Sequence, residues 1–354
     1  MPNLLVWNAN SDGSSAALYA YTADQKGSLQ LAPGFPIPQP LISQADLDTG
    51  SNLLFVSDGP VAASPNTINA YSLYATGPQL VSSGSVSLGS YETFTLWPSS
   101  HALLVSYGMD SLFGPDYIEP FTYDTSGKLT SGQTLQGPGS IMMSQTALPS
   151  SILLGVGSFG HTCTGTDYVG WSIGANGELA QQFSGNASLP DPAAVLCSEG
   201  FSSSPAFTAS GDVFLVAYSA EDSSGNPVND LHSARLNKDG SLQPIGIAQT
   251  GNANAGNIVI DEKDNLAFVV LTDFNPLLER TLTWYSFDPK TGTISPQPIG
   301  QRTDISPLSL DMVGGFLVVG QSSGFSLYSV SFTGLTMVST QSLPLPLTVA
   351  QAVK

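Results

Sequence analysis

Reactive side chains are scarce in this chain, so their positions carry weight. The stretch FGHTCTGTDY (159–168) places His161 two residues before Cys163. An imidazole exchanges protons near neutral pH, which makes His161 a candidate acid/base group. Arg280 and Arg302 are candidates for orienting a carbonyl or a carboxylate, because a guanidinium offers several fixed donors. Glu199 and Asp273 offer carboxylates to the same region, together with Asp110, Asp116, Glu221, Asp222 and Asp230. Two of them in different surroundings would separate a proton donor from a proton acceptor. Phe113, Tyr117, Phe159, Tyr168, Phe201 and Phe274 are expected to line an apolar pocket. The alternative is that they pack long loops against one another.

Other chemistries lack their motifs. There is no GxSxG nucleophile turn, no phosphate-cradling GxxxxGK[ST], no dinucleotide fingerprint and no HExxH. HTCTG brings too few soft ligands for zinc, and the Asn/Asp-rich turns lack a full calcium-loop pattern. No cofactor and no metal are expected. Lys plus Arg total 9 against 27 Asp plus Glu, a formal charge of -18, which leaves no basic footprint for nucleic acid or an anionic membrane. Solubility through self-repulsion accounts for that charge.

The start MPNLLVWNANSDG has no basic segment followed by an apolar run, so no signal peptide is expected within it, and no stretch reaches bilayer length. Cys163 and Cys197 are the two cysteines and are expected to form a disulfide, two free thiols being the alternative. Asn186-Ala187-Ser188 is a glycosylation sequon. With the low lysine content, these features lean towards a secreted or secretory-pathway chain, the cytoplasm being the alternative.

Something must hold these residues, and the chain repeats itself at a spacing near 50 residues. The phrases NLLFVSDG, HALLVSYG, SILLGVGSF, DVFLVAYSA, LAFVVLTD and GFLVVGQS each follow a short polar turn. Each reads as the second strand, b, of a four-strand meander. In the third unit ETFTLWP (92–98) is strand a, HALLVSYG (101–108) b, IEPFTYD (118–124) c and LTSGQTLQ (129–136) d. Six units are complete. NLLVWNA (3–9), ALYAYTA (17–23) and SLQLAPG (28–34) lack a first strand, and LTVAQAV (347–353) is a strand left over. Joining them gives an all-β, seven-bladed β-propeller of four-stranded antiparallel blades, a single domain over 1–354, with no sheet edge exposed by an open ring.

Strands in such a meander exit on alternate faces. The b–c and d–a connections share one face, here the upper, and the a–b and c–d connections share the lower. The long connections 58–66, 109–117, 159–166, 221–230, 273–279 and 186–201 all fall on the upper face, which is the expected recognition surface. His101 starts a strand b and is expected on the lower face. His232 is expected at the start of a strand c, on the upper.

The turn-plus-strand phrases and the c–d turns YDTSGKLTSGQTL, NKDGSLQPIG and FDPKTGTISPQPIG resemble those of the lactonase-like seven-bladed propellers. That group contains bacterial 6-phosphogluconolactonase-type proteins and fungal carboxymuconate cyclases. Family members often carry an Arg-His pair before a strand a. The matching stretch here is SEGFSSSPAFTASGD, with Ser203 and Ser204 in place of the basic pair, which argues against a phosphosugar lactonase. The resemblance implies a cofactor-independent enzyme for a small organic molecule, catalysing cyclisation, isomerisation or lactone-type chemistry, with fungal secondary metabolism as a setting. The competing expectation is a noncatalytic propeller that binds a protein or a glycan through the same face.

Overall fold

The recurring apolar phrase is buried on both sides, and the side-chain period of a strand explains why. In Ala102–Gly108, Leu103 and Val105 pack towards the preceding blade, while Ala102 and Leu104 pack towards the following one. Successive side chains point to opposite faces of a sheet, so a strand sandwiched between two blades must be apolar throughout.

The computed structural model describes residues 1–10, 15–39, 42–58, 67–86, 90–108, 116–136, 143–147, 152–157, 168–174, 177–185, 200–201, 203, 205–221, 224, 227–251, 253–273 and 279–353. They form seven antiparallel sheets. Blade 1 combines Leu347–Ala352 (a), Leu4–Ala9 (b), Ala16–Ala23 (c) and a divided d strand, Leu29–Leu31 and Ile37–Gln39. Blade 2 is Gln44–Asp48, Leu53–Ser57, Thr67–Tyr74 and Gly77–Ser85. Blade 3 is Ser90–Trp97, Ala102–Gly108, Asp116–Tyr123 and the divided Leu129–Ser131 and Leu135–Gln136. Blade 4 is Met143–Ala147, Ile152–Gly157, Tyr168–Ile173 and Leu179–Gly185. Blade 5 is the divided Gly200–Phe201 and Ala206–Phe207, then Val213–Glu221, Pro227–Leu236 and Leu242–Gln249. Blade 6 is Asn254–Asp261, Leu266–Asp273, Glu279–Ser286 and Gly300–Arg302. Blade 7 is Ser309–Val313, Phe316–Gln321, Gly324–Ser331 and Gly334–Ser342.

Each seam between neighbouring blades holds its own apolar cluster, and the seam between blades 7 and 1 is as well filled as the rest. There Val318, Phe325 and Leu327 meet Leu4, Val6, Tyr21, Ala350 and Ala352. The chain ends close the ring in register, Leu4 opposite Ala352 through Ala9 opposite Leu347.

Strand a is the edge of every sheet, and its unpaired backbone faces the neighbouring a strand. Buried backbone groups need partners, and side chains supply them across the seams. Gln44 exchanges two hydrogen bonds with the backbone of Phe94, 2.6 and 2.8 Å. Asn257 Oδ1 accepts the Leu310 N–H. Ser309 Oγ and Asp311 Oδ2 accept the N–H groups of Ala350 and Ala352, each at 2.9 Å.

Two expectations about strand limits are corrected. Half of the segment 221–230 is strand, since Val213–Glu221 and Pro227–Leu236 form one long hairpin with Tyr218 opposite Asp230. His232 therefore lies within strand c, 1% exposed, with its ring 4.6 Å from that of Tyr218. In blade 6, ISPQPIG is not strand d. Pro296 and Pro298 have no N–H to donate, so pairing resumes at Ile299, whose N–H reaches the Trp284 carbonyl at 2.9 Å, and strand d is Gly300–Arg302. Arg302 ends that strand.

Candidate functional site

Blade register assembles an upper-face site that no local motif announces. In blade 6, Phe268, Val270 and Leu282 pack towards blade 7. Alternation then puts Thr272 and Arg280, cross-strand partners at the upper end, on that same side of the sheet. Asn254 is opposite Thr272, and Arg302 is opposite Leu282, so both share that side. From blade 7, Val319 and Tyr328 pack towards blade 6, which turns Gln321 and Ser326 the same way. Ser326 is buried, and its hydroxyl lies 3.1 Å from both Gln321 Oε1 and Thr340 Oγ1. The upper end of the blade 6–7 seam therefore pairs two guanidinium groups with neutral hydroxyl and amide groups.

The two arginines differ in what they can still bind. Arg302 donates from Nε and Nη2 to the two carboxylate oxygens of Asp304, 2.6 and 2.5 Å. That contact raises the arginine's affinity for its proton and holds the Asp304 carboxyl below the usual carboxylate range. Arg280 is half-buried and has no salt bridge among the described residues. Its donors can turn to an incoming oxygen, while the charge of Arg302 is already paired with Asp304. Asp273 and Glu279 face each other across strands b and c, both exposed, on the blade 5 side of the sheet and so opposite to Arg280.

The expected aromatic lining does not form one group among the described residues. Tyr168 is a seam residue, 5% exposed, whose hydroxyl donates to the Gly240 carbonyl of blade 5 at 3.0 Å. Its hydroxyl is thereby spent on joining two blades. Tyr117 packs against the apolar cluster between blades 2 and 3. Phe201 pairs with Tyr218 through the backbone of strand a in blade 5. Asp230 is buried in strand c of blade 5, and its charge, added to burial, pushes the Tyr285 hydroxyl up to about 12. Asp116 and Glu221 end strands at the upper face. His161, Glu199, Phe113, Phe159, Phe274, Asp110 and Asp222, the Cys163–Cys197 pair and Asn186 lie outside the described residues.

Sequence reasoning singled out Arg280 and Arg302 through their rarity and did not single out Asn254, Thr272, Gln321 and Ser326. Those residues are ordinary in type and far apart in the chain. Only strand register, which a sequence does not print, brings them to one seam.

No protein-family model matches the chain, and no curated protein matches it by sequence. Solved structures match over the full length. A protein from Lactobacillus plantarum has a TM-score of 0.73 at 15% identity, covering 100% of both chains. The periplasmic gluconolactonase of Pseudomonas aeruginosa has a TM-score of 0.71 at 14% identity, covering 100% of this chain and 99% of its own. A candidate 6-phosphogluconolactonase from Bacteroides fragilis has a TM-score of 0.71 at 12% identity, covering 100% and 98%. The chain has the fold of the lactonase-like seven-bladed propellers.

Proposed function

We propose that the protein is a cofactor-independent enzyme acting on a small neutral lactone at the upper end of the blade 6–7 seam. The observation that carries this reading is Arg280, half-buried at the upper end of its strand and without a salt bridge among the described residues. The full-length likeness to a gluconolactonase agrees with it. In the forward reaction Arg280 donates hydrogen bonds to the lactone carbonyl oxygen. These strengthen as water adds to the carbonyl carbon and negative charge collects on that oxygen. A base takes a proton from the water. The bond from the acyl carbon to the ring oxygen then breaks, and the ring oxygen leaves with a proton as the hydroxyl of the product acid. His161 is the proposed proton carrier. Phe113, Phe159 and Phe274 are proposed to hold the apolar side of the substrate. Ring closure or isomerisation of a related acid would use the same groups, because proton transfer and oxyanion stabilisation serve both directions.

Hydrolysis of D-glucono-δ-lactone by Arg280→Gln and Arg302→Gln tests the reading. Arg280→Gln is expected to lower kcat by about 10²–10³, the scale of losing an oxyanion donor, with an unchanged Tm. Arg302→Gln is expected to lower kcat less than tenfold. Parent-level turnover in a folded Arg280→Gln protein would overturn the assignment.

A further inference from the structure

The lower face carries a second site, in a groove of about 590 Å³ where blades 2 and 3 meet. It is lined by Asp48, Gly50 and Ser51 from the a–b turn of blade 2, by Pro98, Ser99 and His101 from that of blade 3, and by Thr125. Its volume lies within the usual range for small-molecule pockets. Upper and lower faces are separated by the full length of the strands, so the groove is independent of the lactone reading.

The floor is rigid and already satisfied. Asp48 is 3% exposed, and its Oδ1 accepts the N–H groups of Gly50 at 2.9 Å and Ser51 at 3.4 Å. Its Oδ2 accepts the hydroxyls of Ser51 at 2.5 Å and Tyr123 at 2.9 Å. Burial and this carboxylate drive the Tyr123 hydroxyl far above its ordinary range, so it remains a donor.

His101 is the unusual member, and the molecule's own repeats show it. The residue just before strand b is Asn52 in blade 2, Asn265 in blade 6 and Gly315 in blade 7, each with positive φ. The carbonyls of Asn52 and Asn265 accept an N–H from the end of strand c, as does that of His101. Asn and Gly are the residues that tolerate the left-handed region best. Blade 3 places His101 there at φ 47°, exposed, with its ring 5.4 Å from Tyr123. Asn or Gly serves that backbone position in blades 2, 6 and 7, so the exposed imidazole has to be explained by something other than the turn.

We infer that this groove binds a neutral polyhydroxylated ligand, a sugar ring. Among the described residues, the groups left over for a ligand are the hydroxyls of Ser99 and Thr125, the acceptor lone pairs of Ser51 and the nitrogens of His101. They alternate donor and acceptor capacity as sugar hydroxyls do. Pro98 and the imidazole ring offer apolar surface to the C–H side of a pyranose. No Lys or Arg lines the groove, and the buried Asp48 charge disfavours phosphate or carboxylate.

Titrating the intact protein with D-glucose, D-galactose, D-xylose and D-glucose 6-phosphate, while following the His101 ring protons by NMR, tests this. Loss of the signals in His101→Gly assigns them. At least one neutral sugar is expected to shift them saturably, with D-glucose 6-phosphate at least tenfold weaker. His101→Gly is expected to abolish sugar binding measured by calorimetry while keeping or raising Tm, because glycine accepts the positive φ. Ser99→Trp, which fills the groove from an exposed position, is expected to abolish it too. Arg280→Gln is expected to leave the titration unchanged, which separates the groove from the lactone site. The inference is overturned if no neutral sugar shifts the ring, if the phosphorylated sugar binds as well, or if binding survives in both groove variants.

Discussion

At the scale of single residues, the same turn position gives two aspartates opposite fates. Asp48 and Asp261 both end a strand a and both cap the following a–b turn. The carboxylate of Asp48 receives the Tyr123 and Ser51 hydroxyls, whereas Asp261 Oδ2 is buried with no hydrogen-bond partner. Burial, and then the charge of Asp264, raise the Asp261 carboxyl above its ordinary value. A folded pKa above the unfolded one means that ionisation is penalised in the native state. Stability is then lost as pH rises from the unfolded value through the folded value, and stays lost above it. Asn at this position keeps the Oδ1 acceptor for the Lys263 and Asp264 N–H groups and removes the charge. Asp261→Asn is expected to stabilise the fold at pH 7, because it removes the charge whose ionisation is penalised in the native state. The gain should fade in denaturant titrations as pH drops towards the unfolded carboxylate range. An equal gain at every pH would show that packing, not ionisation, is responsible.

At the scale of elements, the c–d turns do more than reverse the chain. Asp24, Asp124 and Asp288 each accept backbone N–H groups two residues on and further into the turn, and each turn closes on a glycine with positive φ. These carboxyls are accordingly held below their ordinary range. The sequence announces such turns openly, as in YDTSGK. Their second role is silent in it: the turn glycine rests on the preceding blade. A Cβ on Gly127 would come within 2.7 Å of Val81 and 2.9 Å of Leu53. One on Gly240 would overlap the Cβ and Cγ of Phe183, which are too close to the backbone to swing away. Gly251 has φ +72° and nothing within 4 Å, so it isolates the conformational cost. Gly251→Ala is expected to cost about 1–2 kcal/mol. Gly240→Ala adds overpacking of about 1–3 kcal/mol to a similar strain. Denaturant midpoints at constant m-value measure both, and equal losses would remove the seam contact from the account. Strand limits were legible where an apolar run was unbroken, as in strand b, and misleading where polar residues continue a strand, as Asn229 and Asp230 do. A buried polar residue in a ladder looks like a loop residue in sequence.

At the scale of the whole molecule, blade count was legible because an unpaired strand at one end matched a missing strand at the other. The candidate site was less so, because register, not spacing, turns Arg280 and Ser326 towards the same seam. Charge adds what topology alone does not. Lys26, Lys128, Lys238 and Lys290 occupy c–d turns and Lys263 an a–b turn, so all five belong to the lower face. The segments joining b to c, and d to the next a, contain no Lys or Arg, while Asp58, Asp110, Asp191, Glu199 and Asp222 fall within or at the edge of them. The upper face is therefore the acidic end of a chain whose net charge is -18, and its cations are Arg280 and the Asp304-bound Arg302. A field of that sign lowers the local concentration of anions and slows their approach. On the proposed lactone reading, a phosphorylated lactone would be opposed by it, whereas a neutral lactone would not. The kcat/KM for D-glucono-δ-lactone is expected to exceed that for its 6-phosphate by about tenfold or more at low ionic strength. Added salt should narrow the ratio by screening the field, mainly by raising the rate for the phosphorylated substrate. Preference for the phosphorylated lactone, or a ratio indifferent to salt, would mean that the acidic face does not govern what reaches Arg280.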